Sequence, residues 1–181
     1  MSNTKYKITT TSNGDKIRHR VATIILDGKG SALVDMLGFM YCPEFPGGGV
    51  DEGESTIEAA LREAMEESGW VAEQPYEMHC PGDWTYRVQE GDRHKNAIWN
   101  LEENLVVICK SGEYKPDATF GSEHDALKCK MVPLGEIVDA LKKKLSGKMD
   151  NRFKIKNELI LTVLESLLVA EKNSPKWIAW K

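Results

Sequence analysis

GGVDEGESTIEAALREAMEESGW, residues 48 to 70, is the stretch whose reading decides the fold. Within it Arg62, Glu63, Glu66 and Glu67 put four charged groups into six positions, and three of them are carboxylates that repel one another. Ser55 is a good helix N-cap, and Glu58 three residues later completes a capping box. Gly69 stands where a helix ends on a left-handed residue. The two end signals predict a helix over about 56 to 68.

At roughly 100° per residue, Glu63, Glu66 and Glu67 share one arc of roughly 100°. Ile57, Ala60, Leu61, Ala64, Met65 and Ser68 fall on another arc, expected to face the core. Ala59 is the small residue one turn before Glu63 in the acidic arc, and Arg62 can pair with Glu66 at i,i+4. A solvated acidic face is the ordinary reading of such a helix. Two costs count against it: Glu63 and Glu67 are like charges at i,i+4, and the acids crowd the last turn, where the helix dipole disfavours them. A hard divalent cation with oxygen ligands would relieve both costs.

The upstream loop adds context. From Gly48 the chain runs five residues to Glu54, seven to Arg62-Glu63, two to Glu66-Glu67, one to Gly69, then bulky Trp70. These fixed residues at these spacings resemble the Nudix box of the Nudix hydrolase superfamily. Only two packing positions depart from the usual pattern: Ala64 is small and Trp70 aromatic where larger aliphatics are common.

The resemblance implies an α/β fold, the Nudix α/β/α sandwich, with a mixed sheet, flanking helices and here an extra C-terminal helix. It also implies a pyrophosphohydrolase that cleaves a nucleoside diphosphate linked to another moiety, with Mg²⁺ or Mn²⁺ as cofactor. Glu66 and Glu67 are then the leading metal ligands, Glu63 a further ligand or a base, and the Gly47 carbonyl a completing donor. Arg62 would orient the carboxylates, Glu54 would hold the loop to the helix, and Gly48 and Gly69 are structural members of the box. A later glutamate often acts as base or extra ligand in relatives. Glu123 is the candidate, because "FGSEHDALKCKMVPLGEI" resembles the usual end of the domain, although Met131 stands where Trp is common.

Working outward, 181 residues with 41% hydrophobic content suit one domain, 1–181, with its core at about 20–146. The net charge of −4 gives no general basic field for nucleic acid. Cys42, Cys80, Cys109 and Cys129 form no CxxC pair and read as reduced thiols. No apolar signal core opens the chain, and no run approaches the ~18 apolar residues of a membrane span, so a cytoplasmic protein without membrane partners is expected.

"KYKITTT" reads as an edge strand, and "HRVATIILD" with "SALVDM" as a hairpin across DGKG. Further strands are expected at "YEMHC", "WTYRVQ", "LVVICK" and "ALKCKMV". A helix should begin near Pro133, with Leu134, Ile137, Val138, Leu141 and Leu145 as its apolar stripe. Another is expected at about 154–171, followed by a Trp-containing tail. Its apolar surface exceeds one contact face, which suggests either a clamp by the tail or a homodimer.

Substrate signals are thinner. Trp84, Tyr86 and Arg87 are candidates to stack on a base or reach a phosphate, and Arg18 and Arg20 share one face of their strand. Tyr86, 16 residues after Trp70, is similar to a tyrosine of dinucleoside-polyphosphate hydrolases. The basic stretch "KKKLSGKMDNRFKIK" at 142–156 is accounted for by lysines favoured at a helix C-terminus and a solvated connection. The expected partner is therefore a small-molecule nucleotide, a nucleoside triphosphate or dinucleoside polyphosphate. The alternatives are an ADP-ribose, nucleotide-sugar or capped-RNA hydrolase, and a non-catalytic nucleotide-binding module.

Overall fold

A computed structural model describes residues 6–35, 43–72, 77–80, 84–91, 98–109, 112–114 and 129–173. The anchor is β2 (Lys16–Leu26), whose last six residues are all buried. It pairs in parallel with β7 (Ile98–Cys109) over ten residues, from Ile17 opposite Asn100 to Leu26 opposite Cys109. On its other edge it meets β1 (Ile8–Thr10) and β3 (Ser31–Asp35), both antiparallel. β9 (Cys129–Pro133) extends the sheet beyond β3, while β5 (Glu77–His79) and β6 (Thr85–Gly91) pair with β7. The result is a mixed seven-stranded sheet. A separate two-stranded sheet joins β4 (Trp70–Ala72) to β8 (Gly112–Tyr114), a pairing the sequence pattern did not suggest.

Among the described residues, three helices cover the two faces. On one, α1 (Thr56–Ser68) packs through Ala59, Ala60 and Ala64 onto Val21, Ile25, Leu33 and Val106. On the other, α2 (Leu134–Leu145) and α3 (Asn151–Asn173) pack onto Ile24, Leu26, Leu105 and Val107. Alternation along β2 and β7 sends successive residues to opposite layers, which is how two parallel strands feed two cores.

The bounds of α1 match its end chemistry. Ser55 accepts from the Glu58 N–H while Glu58 accepts from the Ser55 N–H, and Gly69 closes the helix at φ +68°. Its facing differs from the expected arc. Ile57 is 45% exposed, whereas Ala59 is fully buried and Glu63 is only 8% exposed. The row of alanines lets the helix lie close to the sheet, with the Thr23 hydroxyl donating to the Ala60 carbonyl. That close approach turns Ile57, in the first turn, out to solvent and carries Glu63 inward.

β7 is longer than the apolar run "LVVIC", because it also includes Ile98 to Asn104, with the polar Asn100, Glu102, Glu103 and Asn104. α3 begins three residues before the expected start and ends two after the expected end. Its Ile160, Val163, Leu164 and Leu167 are buried against the sheet side, so much of the apolar surface that suggested a second copy is used within the chain. No helix among the described residues is long and apolar enough to cross a membrane. The tail with Trp177 and Trp180 lies outside the described residues.

If α3 is integral to the fold, Leu164→Ala should cost about 2–5 kcal/mol of unfolding free energy, measured by urea titration. A loss under about 1 kcal/mol would mean that the helix only rests on the domain.

Candidate active site

Residues 43–55, which lead into α1, run along the edge of β2, with the Thr23 N–H donating to the Pro46 carbonyl (2.7 Å), Val21 to Gly48 (2.9 Å) and Val50 to His19 (3.1 Å). This places Gly47, Gly48 and Gly49 directly beside the acidic side of α1. A Cβ on Gly47 would strike the Val21 backbone, and one on Gly48 would occupy the place of the Glu63 carboxylate. Glycine is needed here for close approach, not for an unusual φ.

Arg62 binds the unit together. Its Nε and Nη2 donate to the two oxygens of Glu54 (2.9 and 3.0 Å), a bidentate pair. Nη1 donates to Glu63 Oε1 (2.7 Å) and Glu66 Oε2 (3.1 Å), and Nη2 also reaches the Gly49 carbonyl (2.8 Å). Glu54 in turn accepts from the Asp51 N–H (2.9 Å), and Glu67 accepts from the Gly47 N–H (2.7 Å). Loop and helix are thus tied at two points, by Arg62 and by Glu67.

Electrostatics follow from this arrangement. Burial works to raise Glu54, but the Arg62 guanidinium and the Asp51 N–H outweigh it and hold the carboxyl below its ordinary value. Glu63 goes the other way: burial dominates and pushes it up, against the pull of Arg62. Arg62, hydrogen-bonded first to Glu54, is held well above its usual value and stays charged. One guanidinium therefore faces Glu54, Glu63 and Glu66, with Glu67 one residue further on.

That excess of hard oxygen donors over cations fits a divalent metal. The side chains are not gathered to ligand spacing, since no three acids, cysteines or histidines among the described residues converge on one point. Glu63 and Glu67 are turned to Arg62 and the Gly47 N–H, while the Glu66 side chain is 45% exposed.

The predicted substrate residues lie on β2 and on or just before β6. Arg18 and Arg20 lie two apart on β2. The Arg18 guanidinium stacks on Tyr6, 3.9 Å from the ring centroid, and its buried Nε has no hydrogen-bond partner among the described residues. Arg20 Nε reaches Glu103 Oε1 (3.3 Å), and Arg20 is close enough to Glu63 to favour its charged form. Tyr86 is buried and donates its hydroxyl to Glu103. Trp84 packs against the core under α2 and α3. Arg87 is exposed and pairs with Glu102, which also meets His19. Glu123 and His124 lie outside the described residues.

Glu103 was missed by sequence reasoning. It is 1% exposed and takes Arg20, the Tyr86 hydroxyl and Lys156 Nζ (3.3 Å). The available signal was complementarity: "RHR" on one strand and "EE" on another, each running into an apolar stretch, pair in register as Arg18–Arg20 against Leu101–Glu103.

Comparison with known proteins agrees with this geometry. The NUDIX domain family model matches residues 16–153, and the chain belongs to that family. An RNA pyrophosphohydrolase of Wolbachia sp. subsp. Drosophila simulans (strain wRi) is 31% identical over 105 residues, covering 55% of this chain and 54% of that protein. The chain thus spans about half the length of the curated relatives it matches. Two solved structures share the fold. A mutator MutT protein from Bacillus halodurans has a TM-score of 0.52 at 18% identity, over 80% of this chain and 82% of that one. The E. coli dihydroneopterin triphosphate pyrophosphohydrolase has a TM-score of 0.51 at 14% identity, over 80% and 94%.

Arg62→Ala should destabilise the metal-free protein by about 1–3 kcal/mol at neutral pH, because charge-assisted hydrogen bonds are lost to the buried Glu63 and the partly buried Glu54. Glu54 is held below its ordinary 4.5 in the folded chain, so its contribution is full above that value and lost as pH falls below it. Urea titrations of both proteins at pH 7 and near pH 4 should therefore show the gap narrowing in acid. A gap that widens in acid would contradict the ion-pair account.

Proposed function

We propose that the chain is a metal-dependent Nudix pyrophosphohydrolase that cleaves a diphosphate linkage in a nucleoside diphosphate derivative. Nucleoside triphosphates and dinucleoside polyphosphates are the first substrates to test. The observation that carries this reading is the placing of Glu63, Glu66 and Glu67 on α1 beside the Gly47–Gly49 backbone, with Arg62 shared by Glu63 and Glu66 and the Gly47 N–H donating to Glu67.

Glu66, Glu67, Glu63 and the Gly47 carbonyl would hold Mg²⁺ or Mn²⁺. When bound, the metal supplies Lewis-acid stabilisation of the phosphate oxygens and makes hydroxide accessible near neutral pH. The chain's own residues do the rest. Arg62 keeps the carboxylates on one side of the helix, and Glu54 fixes Arg62 to the loop. The upward push on Glu63 brings its proton affinity closer to that of a useful base. Arg18 and Arg20 are the candidates to meet the polyphosphate, and the Arg18 Nε, without a hydrogen-bond partner among the described residues, is a donor that a phosphate oxygen would satisfy.

The relatives named RNA pyrophosphohydrolase add 5′-triphosphorylated RNA to the substrates worth testing. A nucleotide sensor without turnover is the competing reading, and the full set of box carboxylates weighs against it.

Mg²⁺-dependent product formation should appear for one group in a panel of nucleoside triphosphates, diadenosine polyphosphates, ADP-ribose, nucleotide sugars and 5′-triphosphorylated or capped RNA. Glu66→Gln should lower that rate by at least about a hundredfold while the metal-free melting temperature holds or rises. Tight nucleotide binding with no turnover of any panel member would favour the sensor instead.

A further inference from the structure

The basic stretch at 142–156 is not a uniform solvated face. Lys142 pairs with Glu165 (2.8 Å), Lys154 with Glu158 (3.8 Å) and Lys156 with the buried Glu103 (3.3 Å). Lys144 and Lys148 have no carboxylate within ion-pair distance among the described residues. Both line a cavity of about 310 Å³ at the elbow where α2 turns into α3. Its other walls are Pro43, Glu44, Met149, Phe153, Lys156 and Asn157.

The wall chemistry is specific. Lys156 is taken by Glu103, so Lys144 and Lys148 stand against one lining carboxylate, Glu44, which leaves a surplus of positive charge. Phe153, 52% exposed, and the Met149 thioether offer an apolar, polarisable surface to a flat ring. Asn157 is only 4% exposed, and among the described residues its amide has just the Met149 sulfur as partner, at 3.5 Å. Sulfur is a weak acceptor, so the amide keeps hydrogen-bonding capacity for a base edge.

Position connects the cavity to the carboxylates. Glu44 is bridged to Asp35 and lies three residues before Gly47, so at most about 10 Å of chain separates the cavity wall from the glycine that holds Glu67. Below the wall, Lys156, Glu103 and Arg20 form a continuous polar path toward Glu63.

We propose that this elbow is a nucleotide subsite: Lys144 and Lys148 hold a phosphate, Phe153 and Met149 take the base, and Asn157 reads its edge. The proposal rests on the hydrolase reading only for what lies beyond the subsite, namely a substrate with a nucleotide unit at each end of, or following, its polyphosphate. Both a dinucleoside polyphosphate and a 5′-triphosphorylated oligonucleotide carry such a unit.

The test is anisotropy of a 3′-fluorescein-labelled 5′-monophosphate dinucleotide, pApA, titrated with the intact chain in EDTA. It contains no anhydride bond, and without metal the box carboxylates repel its phosphate. Lys144→Ala/Lys148→Ala should weaken binding at least about tenfold and reduce the salt slope by about one to two. Phe153→Leu should weaken it several-fold with the salt slope unchanged, and melting temperatures of both variants should confirm folded protein. Equal binding by all three proteins, or no binding by an intact chain that does hydrolyse nucleotides, overturns the subsite and leaves the hydrolase standing. Binding lost in the variants of a chain that hydrolyses nothing supports the subsite and sinks the hydrolase reading. With activity in hand, the lysine variant should lose kcat/KM either on triphosphorylated pppApA, assigning the unit to a strand, or on diadenosine tetraphosphate, assigning it to a free dinucleotide. Loss on neither contradicts the proposal.

Discussion

The guanidinium of Arg62 is the constraint on which the site depends. One planar, permanently charged fork meets Glu54 with two parallel bonds, Glu63 and Glu66 with a third nitrogen, and the Gly49 carbonyl beside them. Lysine has the charge but not the fixed directions, and would have to leave some of these acceptors unmet. Because Glu54 belongs to the loop and Arg62 to the helix, the same contacts that neutralise charge also fix the loop's position. Gly48 then has to be glycine, since the carboxylate that Arg62 holds fills the space a side chain would need.

The sheet shows a matching division along its length. The C-terminal halves of β2 and β7 are mostly apolar, Thr23 being a buried exception, and build both cores, while their N-terminal halves carry Arg18, His19, Arg20, Glu102 and Glu103. Burying Glu103 costs a desolvation penalty, which is offset by two cations and the Tyr86 hydroxyl around it. Lys156 comes from α3, so the C-terminal helix contributes to the polar end of the sheet as well as to the core. The box carboxylates lie at this same polar end, reached through Arg20.

Much of this was legible in the sequence, for physical reasons that differ by element. The bounds of α1 were readable because caps are local chemistry: Ser55, Glu58 and Gly69 act within one turn of their own positions. The carboxylate spacing was readable because helical geometry turns sequence separation into angle. The facing of α1 was not, because the alanine row gave no bulk to favour one side over another, and the sheet chose Ala59 and Glu63 over Ile57. The β4–β8 pair and the burial of Glu103 depend on contacts between residues far apart in sequence, which no local period encodes. The basic stretch at 142–156 shows the same limit: the packing of α3 against α2 and the sheet gives Lys142 and Lys156 their partners and so sets them apart from Lys144 and Lys148.

The central claim is that crowded carboxylates on α1 persist because they are built to receive a divalent cation. Titration calorimetry of Mn²⁺ into the intact chain, beside a Glu67→Gln variant, tests it without any substrate. The account predicts saturable binding by the wild-type chain that is weakened at least about tenfold in the variant. Mn²⁺ binding of equal strength in both, or none in either, would contradict it.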